Sequence, residues 1–518
     1  MSHLISERAK ARSRIHFTTA NLKDAPEGFK PHPAPLVLDF GTPNAGFFLI
    51  SGIQANVIDY PFQESLALPV GNASLENLNN FNGSSSTVVE DQISKLTINV
   101  EAKNRVQIAK RTDDPKLIDL ARGLQYSEVE GIPQLRNFTK ELIKKVHPPA
   151  YDDWTTILSN GAGDGLNKAA DCFLNEGEVV LIEEFTFTPF LQNVSNVGAI
   201  PVPVKLNLST TPGESNGIDF EYLKDLLENW DERRPELKGK KPKALYTIAT
   251  GQNPTGLTQN LEFRKKVYAL AEKFDFVIIE DDPYGYLSLP PYSEPTSIYR
   301  LSDFLTVDEY LKDHLEPSYL TIDTSGRVLR IETFSKLFAP GLRLGFIVGH
   351  KNVIEAISNY ANVVTRSSSG TSQLLVNNVI EQSFGGVDGW LEWILKMRHT
   401  YTNRRNVLLF GLYQSQAYKA GYIDVIDPRA GMFVSVIIKF PEGVDAIKKI
   451  ELLQWKFREY GVRVVAGINM AVDRKFSVER GHFFRLTYAP ANNDEELVEG
   501  AKRFGEAVYD FFQKGLEF

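Results

Sequence analysis

Glu332-Thr333-Phe334-Ser335-Lys336-Leu337-Phe338-Ala339-Pro340-Gly341-Leu342-Arg343 joins two apolar, strand-like runs, Val328 to Ile331 and Leu344 to Val348. A lysine after a strand is ordinarily a solvated charge. Its neighbours here are unusual: Thr333 and Ser335 offer hydroxyls, Pro340-Gly341 forces a turn, and Arg343 adds a permanent cation. Hydroxyls and a guanidinium suit a phosphate, and a lysine beside a bound phosphorylated aldehyde can form a Schiff base.

Working outward, Val179 to Ile182, Ala244 to Ile248 and Phe276 to Ile279 are further short apolar runs. Amphipathic stretches such as Leu261 to Lys273 separate them, with apolar residues near a 3.6 period. Such alternation predicts a mostly parallel sheet covered by helices on both faces. In that architecture ligands gather at the carboxyl ends of the strands. Three segments with chemical potential end strands in this way. One is the lysine run. The second is Gly251-Gln252-Asn253-Pro254-Thr255-Gly256, whose plainer reading is a strand-to-helix turn. The third is Glu280-Asp281-Asp282-Pro283-Tyr284. A fourth, Ser159-Asn160-Gly161-Ala162-Gly163-Asp164-Gly165, follows the run Thr156 to Leu158. Glycines opening a helix expose N–H groups to an anion, but the segment lacks the lysine and spacing of a nucleotide P-loop.

These segments resemble those of fold-type I pyridoxal-phosphate enzymes, in the kynurenine/2-aminoadipate and fungal aromatic aminotransferase subgroup. Glu183-Glu184-Phe185-Thr186-Phe187-Thr188-Pro189 and Thr247-Ile248-Ala249-Thr250-Gly251-Gln252-Asn253-Pro254 are especially similar to the fungal aromatic enzymes. The likeness runs from about Leu38 to the C-terminus. It implies an α/β fold-type I pyridoxal-phosphate transferase: a large domain with a mostly parallel, seven-stranded-type sheet between helices, plus a smaller α+β domain.

The resemblance also implies roles. Lys336 would carry pyridoxal 5'-phosphate and move a proton at the substrate α-carbon. Asp281 would keep the pyridine nitrogen protonated. Asn253 and Tyr284 would hydrogen-bond the ring's phenolic oxygen, and Phe187 would stack on the ring. Thr333, Ser335, Arg343 and the backbone at Ala162 and Gly163 would hold the phosphate. Arg485, in Phe484-Arg485-Leu486-Thr487, would receive the substrate carboxylate, although an arginine at such a place is ordinarily a surface ion-pair partner. Tyr126 would reach the phosphate in a neighbouring subunit, implying a homodimer with shared active sites. Gly41, Pro43 and Asn44 would close over the substrate, with Asn253 also touching it. Two departures stand out. Related enzymes often have a hydroxyl or amide side chain where Ala162 and Gly163 occur, and a proline where Ala466 occurs.

The bulk properties set bounds. At 518 residues more than one domain is expected. The divisions expected are 1–115, an N-terminal arm and part of the small domain; 116–385, the large cofactor-binding domain; and 386–518, the small C-terminal domain. The first 115 residues or so read as irregular, and Pro283 to Lys312 as a long insertion. Beyond Gly385 a long helix, Trp390 to Tyr413, precedes strands at Met432 to Ile438 and Val462 to Val465 and a closing helix from Asp494 to Phe512.

A net charge of -8 argues against a nucleic-acid partner, and Cys172, the single cysteine, excludes an intrachain disulfide or a cysteine metal cage. No metal site is expected. No apolar run approaches the roughly 20 residues that span a bilayer. Arg8, Lys10, Arg12 and Arg14 could line a mitochondrial presequence helix, but an exposed N-terminal arm on a soluble, cytoplasmic protein is the expectation.

The substrates expected are phenylalanine, tyrosine and tryptophan, with a 2-oxo acid as acceptor. Alternatives are 2-aminoadipate or kynurenine transamination, a lyase on the same fold, and a pyridoxal-phosphate transcription regulator. The last would need a DNA-binding helical module, and the first 115 residues show no helix-turn-helix pattern.

Overall fold

The computed structural model describes residues 2–12, 44, 48–58, 104–211, 215–295 and 305–518. In chain order its strands are β1 (Gly52–Val57), β2 (Asn104–Ala109), β3 (Trp154–Ser159), β4 (Val179–Glu183), β5 (Ile200–Val204), β6 (Leu206–Asn207) and β7 (Gly217–Ile218). Then follow β8 (Pro242–Thr247), β9 (Val277–Asp281), β10 (Val328–Thr333), β11 (Gly345–His350), β12 (Ile423–Ile426), β13 (Phe433–Ile438), β14 (Val465–Ala466) and β15 (Phe483–Thr487).

Seven strands form one sheet in the order β3-β11-β10-β9-β8-β4-β5. All its neighbours pair in parallel except β11, which runs antiparallel to both β10 and β3. Along β4, Val179 and Leu181 enter the core on one face, and Val180 and Ile182 the core on the other. This period-2 division makes the strands apolar throughout, because neither face meets water. Helices Ala162–Phe173, Pro189–Asn196 and Lys351–Val364 cover one face, through residues such as Leu166, Phe190 and Ile357. Helices Pro133–Val146, Leu261–Phe274 and Gly370–Val379 cover the other, through Leu142, Val267 and Leu374. Each such aliphatic side chain contributes about 1.5–3 kcal/mol of transfer free energy when fully buried.

A smaller antiparallel sheet, β12-β13-β15-β14, lies after the long helix Val387–Gln414. Helices Ala446–Glu459 and Asp494–Gln513 back it. Phe457 stacks on Phe504 at 4.5 Å and meets Phe484 edge-on at 4.8 Å. The expected fold class is therefore found, with seven strands in the large sheet.

The structure changes several details. Residues 2–12 are docked instead of forming a free arm: Leu4, Ile5 and Ala9 are buried, and Arg8 and Arg12 both pair with Asp171. The region read as irregular contains the antiparallel pair β1–β2. Of the expected Val462 to Val465 strand only Val465 lies in a sheet, together with Ala466 beyond it. Within the expected insertion, Val307–Asp313 is a helix with a Thr306–Glu309 capping box. Among the described residues no helix is long and apolar enough to cross a membrane.

Candidate active site

The carboxyl edge of the large sheet gathers the singled-out segments. Asp281 ends β9 and Thr333 ends β10. The Asn253 loop follows β8, and Asn160 follows β3. The register sets Thr333 opposite Gly345, and Gly345 opposite Ser159, so the lysine loop and the glycine-rich loop flank one another.

At the middle of this edge, where β9 ends, Asp281 is buried, 3 % exposed. Its Oδ2 accepts a hydrogen bond from the Tyr246 hydroxyl at 2.7 Å, while its Oδ1 has no partner among the described residues. Burial pushes its carboxyl up to about 7; the Tyr246 hydrogen bond opposes this, the nearby Asp282 and Glu183 reinforce it, and Arg330 opposes it. Tyr284 is also buried, meeting Phe433 edge-on at 5.7 Å. Its phenol is pushed well up, first by burial and then by Asp281.

Lys336 lies on the loop after β10, with Trp393 Nε1 donating to the neighbouring Leu337 carbonyl at 3.1 Å. Burial, then Arg343 and Arg485, lower the affinity of its amine for a proton. All three causes favour the neutral amine that a nucleophile requires.

Beside Asp281, between the ends of β10 and β11, Thr333, Ser335 and Arg343 cluster. Thr333 donates to Ser335 Oγ at 2.9 Å, and Arg343 Nη1 approaches the same oxygen at 3.4 Å. Arg343 Nη2 reaches the Asn160 carbonyl, also at 3.4 Å. Gly161, with φ at 84°, turns the chain into the helix Ala162–Phe173 without a side-chain cap. The torsion favours glycine here, and a Cβ at Gly161 would lie 2.5 Å from Arg343 Nη2 and push the guanidinium aside. The first N–H groups of the helix, at Ala162 and Gly163, are thereby left for an anion.

Arg485, on β15, brings the smaller sheet to the same place. Its Nη1 donates to Asn253 Oδ1 at 2.7 Å, and its guanidinium lies 4.3 Å from the Phe433 ring centroid. Ser435, paired with Arg485 across the sheet, donates to the Pro254 carbonyl at 3.0 Å. Among the described residues no carboxylate pairs with Arg485, and its Nε is buried without a partner. It is not the surface ion-pair arginine of the plainer reading.

Phe187 follows β4 and packs half-buried against the core. Its segment is stitched to residues 470–472 by Thr186 N–H donating to the Met470 carbonyl and Val472 N–H to the Glu184 carbonyl. Tyr126 stands apart on the surface, 75 % exposed. Gly41 and Pro43 lie outside the described residues.

Sequence reading missed the supports behind these residues. Gln252 donates to Glu183 at 3.1 Å and to the Phe185 carbonyl at 2.6 Å, tying the Asn253 loop to the Phe187 segment. Arg330, fully buried, pairs with Glu280, Asp282 and Glu332 behind Asp281. Tyr246 was missed too, although a signal existed. It pairs with Ile279, two residues before Asp281, so period-2 alternation puts both on one face.

A buried sheet edge that gathers a lysine of lowered proton affinity, a buried carboxylate with one open oxygen, an anion cup and an arginine with no carboxylate partner among the described residues is the arrangement of a group-transfer enzyme. The chain belongs to the class I and II aminotransferases, matching that family over residues 96–504. It is 42 % identical over 420 residues to aromatic amino acid aminotransferase 2 of Saccharomyces cerevisiae, covering 77 % of this chain and 82 % of that one. The crystal structure of an aromatic aminotransferase from C. albicans superposes with a TM-score of 0.88 at 54 % identity, over 100 % of this chain and 99 % of the other. A kynurenine aminotransferase from Pyrococcus horikoshii, solved in complex with PMP, gives a TM-score of 0.60 at 26 % identity, over 75 % and 83 %.

The protein is a pyridoxal-phosphate-dependent aminotransferase. Its residues fit that cofactor. Asp281 Oδ1 is a buried acceptor awaiting a donor, and the uncapped helix start beside Arg343 suits a phosphate. A Cβ at Gly163 would meet nothing within 4 Å, which leaves the cradle open.

Proposed function

We propose that this enzyme transaminates aromatic amino acids, with a 2-oxo acid as acceptor, using the residues gathered above. The observation that carries the reading is Arg485: a half-buried guanidinium with no carboxylate partner among the described residues, set against Phe433 and Tyr284. A buried cation of this kind calls for an anionic ligand, and its fork matches a carboxylate. The aromatic rings beside it supply apolar walls for a substrate side chain.

When bound, pyridoxal phosphate supplies an electron sink that stabilises negative charge at the substrate α-carbon. Lys336 would hold it through Nζ and would be the base that moves the proton at the substrate α-carbon. Asp281 Oδ1 would accept from the ring nitrogen and hold the proton there. Asn253 and Tyr284 would donate to the ring's phenolic oxygen, and Phe187 would cover a ring face. Thr333, Ser335, Arg343 and the N–H groups of Ala162 and Gly163 would grip the phosphate. Arg485 orients the substrate by its carboxylate, with Asn253 Oδ1 fixing the guanidinium.

Tyr126 extends the proposal to assembly. An exposed tyrosine at this position would serve the phosphate of a neighbouring copy, making the functional unit a homodimer in the cytoplasm. Mixing a Tyr126→Phe chain with a Lys336→Ala chain tests this, since hybrid dimers with shared sites would regain one complete site.

The substrate test is the half-reaction of the cofactor-loaded enzyme with phenylalanine in the absence of an oxo acid. Loss of the cofactor's visible band with stoichiometric phenylpyruvate is the expected result; release of carbon dioxide would indicate a lyase instead. The likeness to a kynurenine aminotransferase supports a second reading, with 2-aminoadipate or kynurenine as donor. A kcat/KM for 2-aminoadipate at least about tenfold above that for phenylalanine would establish it over the first.

A further inference from the structure

Asp281 has two carboxylate oxygens in different situations. Oδ1 is buried with no partner among the described residues, and Oδ2 accepts from Tyr246 at 2.7 Å. An ionised carboxylate only accepts, so the phenol must be the donor. Tyr246 is fully buried in the middle of the large sheet, where its backbone register with Ile279 and a 4.0 Å stack on Phe190 fix the ring. A donor held this firmly, in a dry environment, acts on a single oxygen with little freedom to leave it.

We propose that Tyr246 is a positioning residue for the reaction: its hydroxyl holds Asp281 ionised and leaves Oδ1 as the acceptor for the ring nitrogen. The inference rests on the reading of Asp281 as the ring nitrogen's partner. The other charged neighbours do not supply this service. Asp282 and Glu183 disfavour a second negative charge at Asp281. Arg330 favours it, but its guanidinium is divided among Asp282, Glu332 and Glu280. Of the influences that support the charged form, the Tyr246 hydrogen bond is the largest.

One proton is shared between the ring nitrogen and Oδ1, and withdrawal of electron density at Oδ2 by the phenol makes Oδ1 less basic. Without the phenol the same proton moves from the ring nitrogen to Oδ1. No proton enters or leaves the pair, yet the ring loses its positive charge and becomes a poorer electron sink.

Tyr246→Phe removes the hydroxyl and retains the ring that stacks on Phe190. The decisive readout is nitrogen NMR of the enzyme loaded with pyridoxal phosphate labelled at the ring nitrogen. The wild type is expected at the protonated position, Asp281→Asn at the unprotonated one, and Tyr246→Phe between them. The half-reaction with phenylalanine should slow roughly 10-fold in Tyr246→Phe, with little change in KM. Phe190→Leu serves as the packing control: it should lower the melting temperature of the apoenzyme and leave the resonance at the wild-type position.

A Tyr246→Phe resonance at the wild-type position, with Asp281→Asn displaced, would overturn the proposal and leave the role of Asp281 intact. A displacement in Phe190→Leu as large as that in Tyr246→Phe would also overturn it, since packing would then set the protonation. If Asp281→Asn itself matches the wild type, the ring-partner reading fails and the inference falls with it.

Discussion

Asp281, at the end of β9, and Arg343, just before β11, stand two strands apart on one sheet edge and are supported in opposite ways. Around Asp281 the side chains of Tyr246, Glu280, Asp282, Arg330 and Glu332 are all buried, and their buried polar atoms have hydrogen-bond partners among the described residues except for Asp281 Oδ1, Asp282 Oδ1 and Arg330 Nη1. Around Arg343 the guanidinium is exposed, Ser335 and Ala162 are half-buried, and Gly163 is open to solvent. The ring end is buried away from bulk solvent, so each deletion there strands a buried group. The phosphate end works with backbone N–H groups and solvated charges, which water can imitate. Substitutions of similar chemistry should therefore cost much more at the first end than at the second.

The largest effect is expected from Asp281→Asn. Breaking a buried charge interaction costs about 3–5 kcal/mol, which corresponds to roughly 10²- to 10³-fold or more in kcat/KM. The apoenzyme gives a second readout. Because the folded-state carboxyl is raised to about 7, the folded state holds a proton that the unfolded chain gives up near its ordinary value of 3.8. Stability contributed by the neutral form is present below that lower value and is lost as pH rises through about 7. Asp281→Asn lacks this loss. Its stability advantage over the wild type should grow between about pH 4 and 7, by at most about 1.4 kcal/mol per pH unit. Urea unfolding of both apoenzymes across that range measures it. A difference independent of pH would remove the contrast in burial on which the comparison stands.

The two ends also differ in how far they can be read from sequence, for a related reason. Thr333, Ser335, Lys336 and Arg343 lie within one short run, so their cup is legible as a local pattern of hydroxyls and cations. Likewise the strands that carry them are continuous apolar runs, because both sheet faces are buried. The supports of the ring end are assembled by strand register instead. Tyr246 and Asp281 are 35 positions apart, and Gln252 and Glu183 are 69 apart. In sequence, Tyr246 is one more large apolar residue in a strand. The docking of residues 2–12 was illegible for a different reason. Leu4 and Ile5 have no periodicity, and the basic residues that suggest an exposed arm owe their placement to Asp171, far along the chain. The Asn253–Arg485 contact was half legible: each residue was singled out, but only the fold joins the two sheets.

Arg343→Lys should give an intermediate effect at the phosphate end. The charge remains, but the fork that reaches Ser335, Pro340 and Asn160 is lost. Roughly a tenfold rise in the Kd for pyridoxal phosphate is expected, about 1.4 kcal/mol, with a dependence on ionic strength similar to that of the wild type. Equilibrium dialysis of the apoenzyme at low and high salt would measure both quantities. A loss comparable to that of Asp281→Asn would mean that the exposed end is as unforgiving as the buried one.

The smallest effect should be a gain. Related enzymes often carry a hydroxyl or amide where Gly163 stands, and a Cβ there meets nothing within 4 Å. The residue lies in the first turn of the helix Ala162–Phe173 and is not among the glycines with positive φ, so serine is conformationally acceptable. Gly163→Ser adds a donor to the cup and removes glycine's conformational freedom from the unfolded chain. One net hydrogen bond of about 0.5–1.5 kcal/mol would lower the Kd for pyridoxal phosphate by roughly two- to tenfold. The half-reaction rate should stay unchanged, because the ring end is untouched. A weaker cofactor affinity in Gly163→Ser would show that this open space is needed by the phosphate or its water, and that the exposed end is as closely fitted as the buried one.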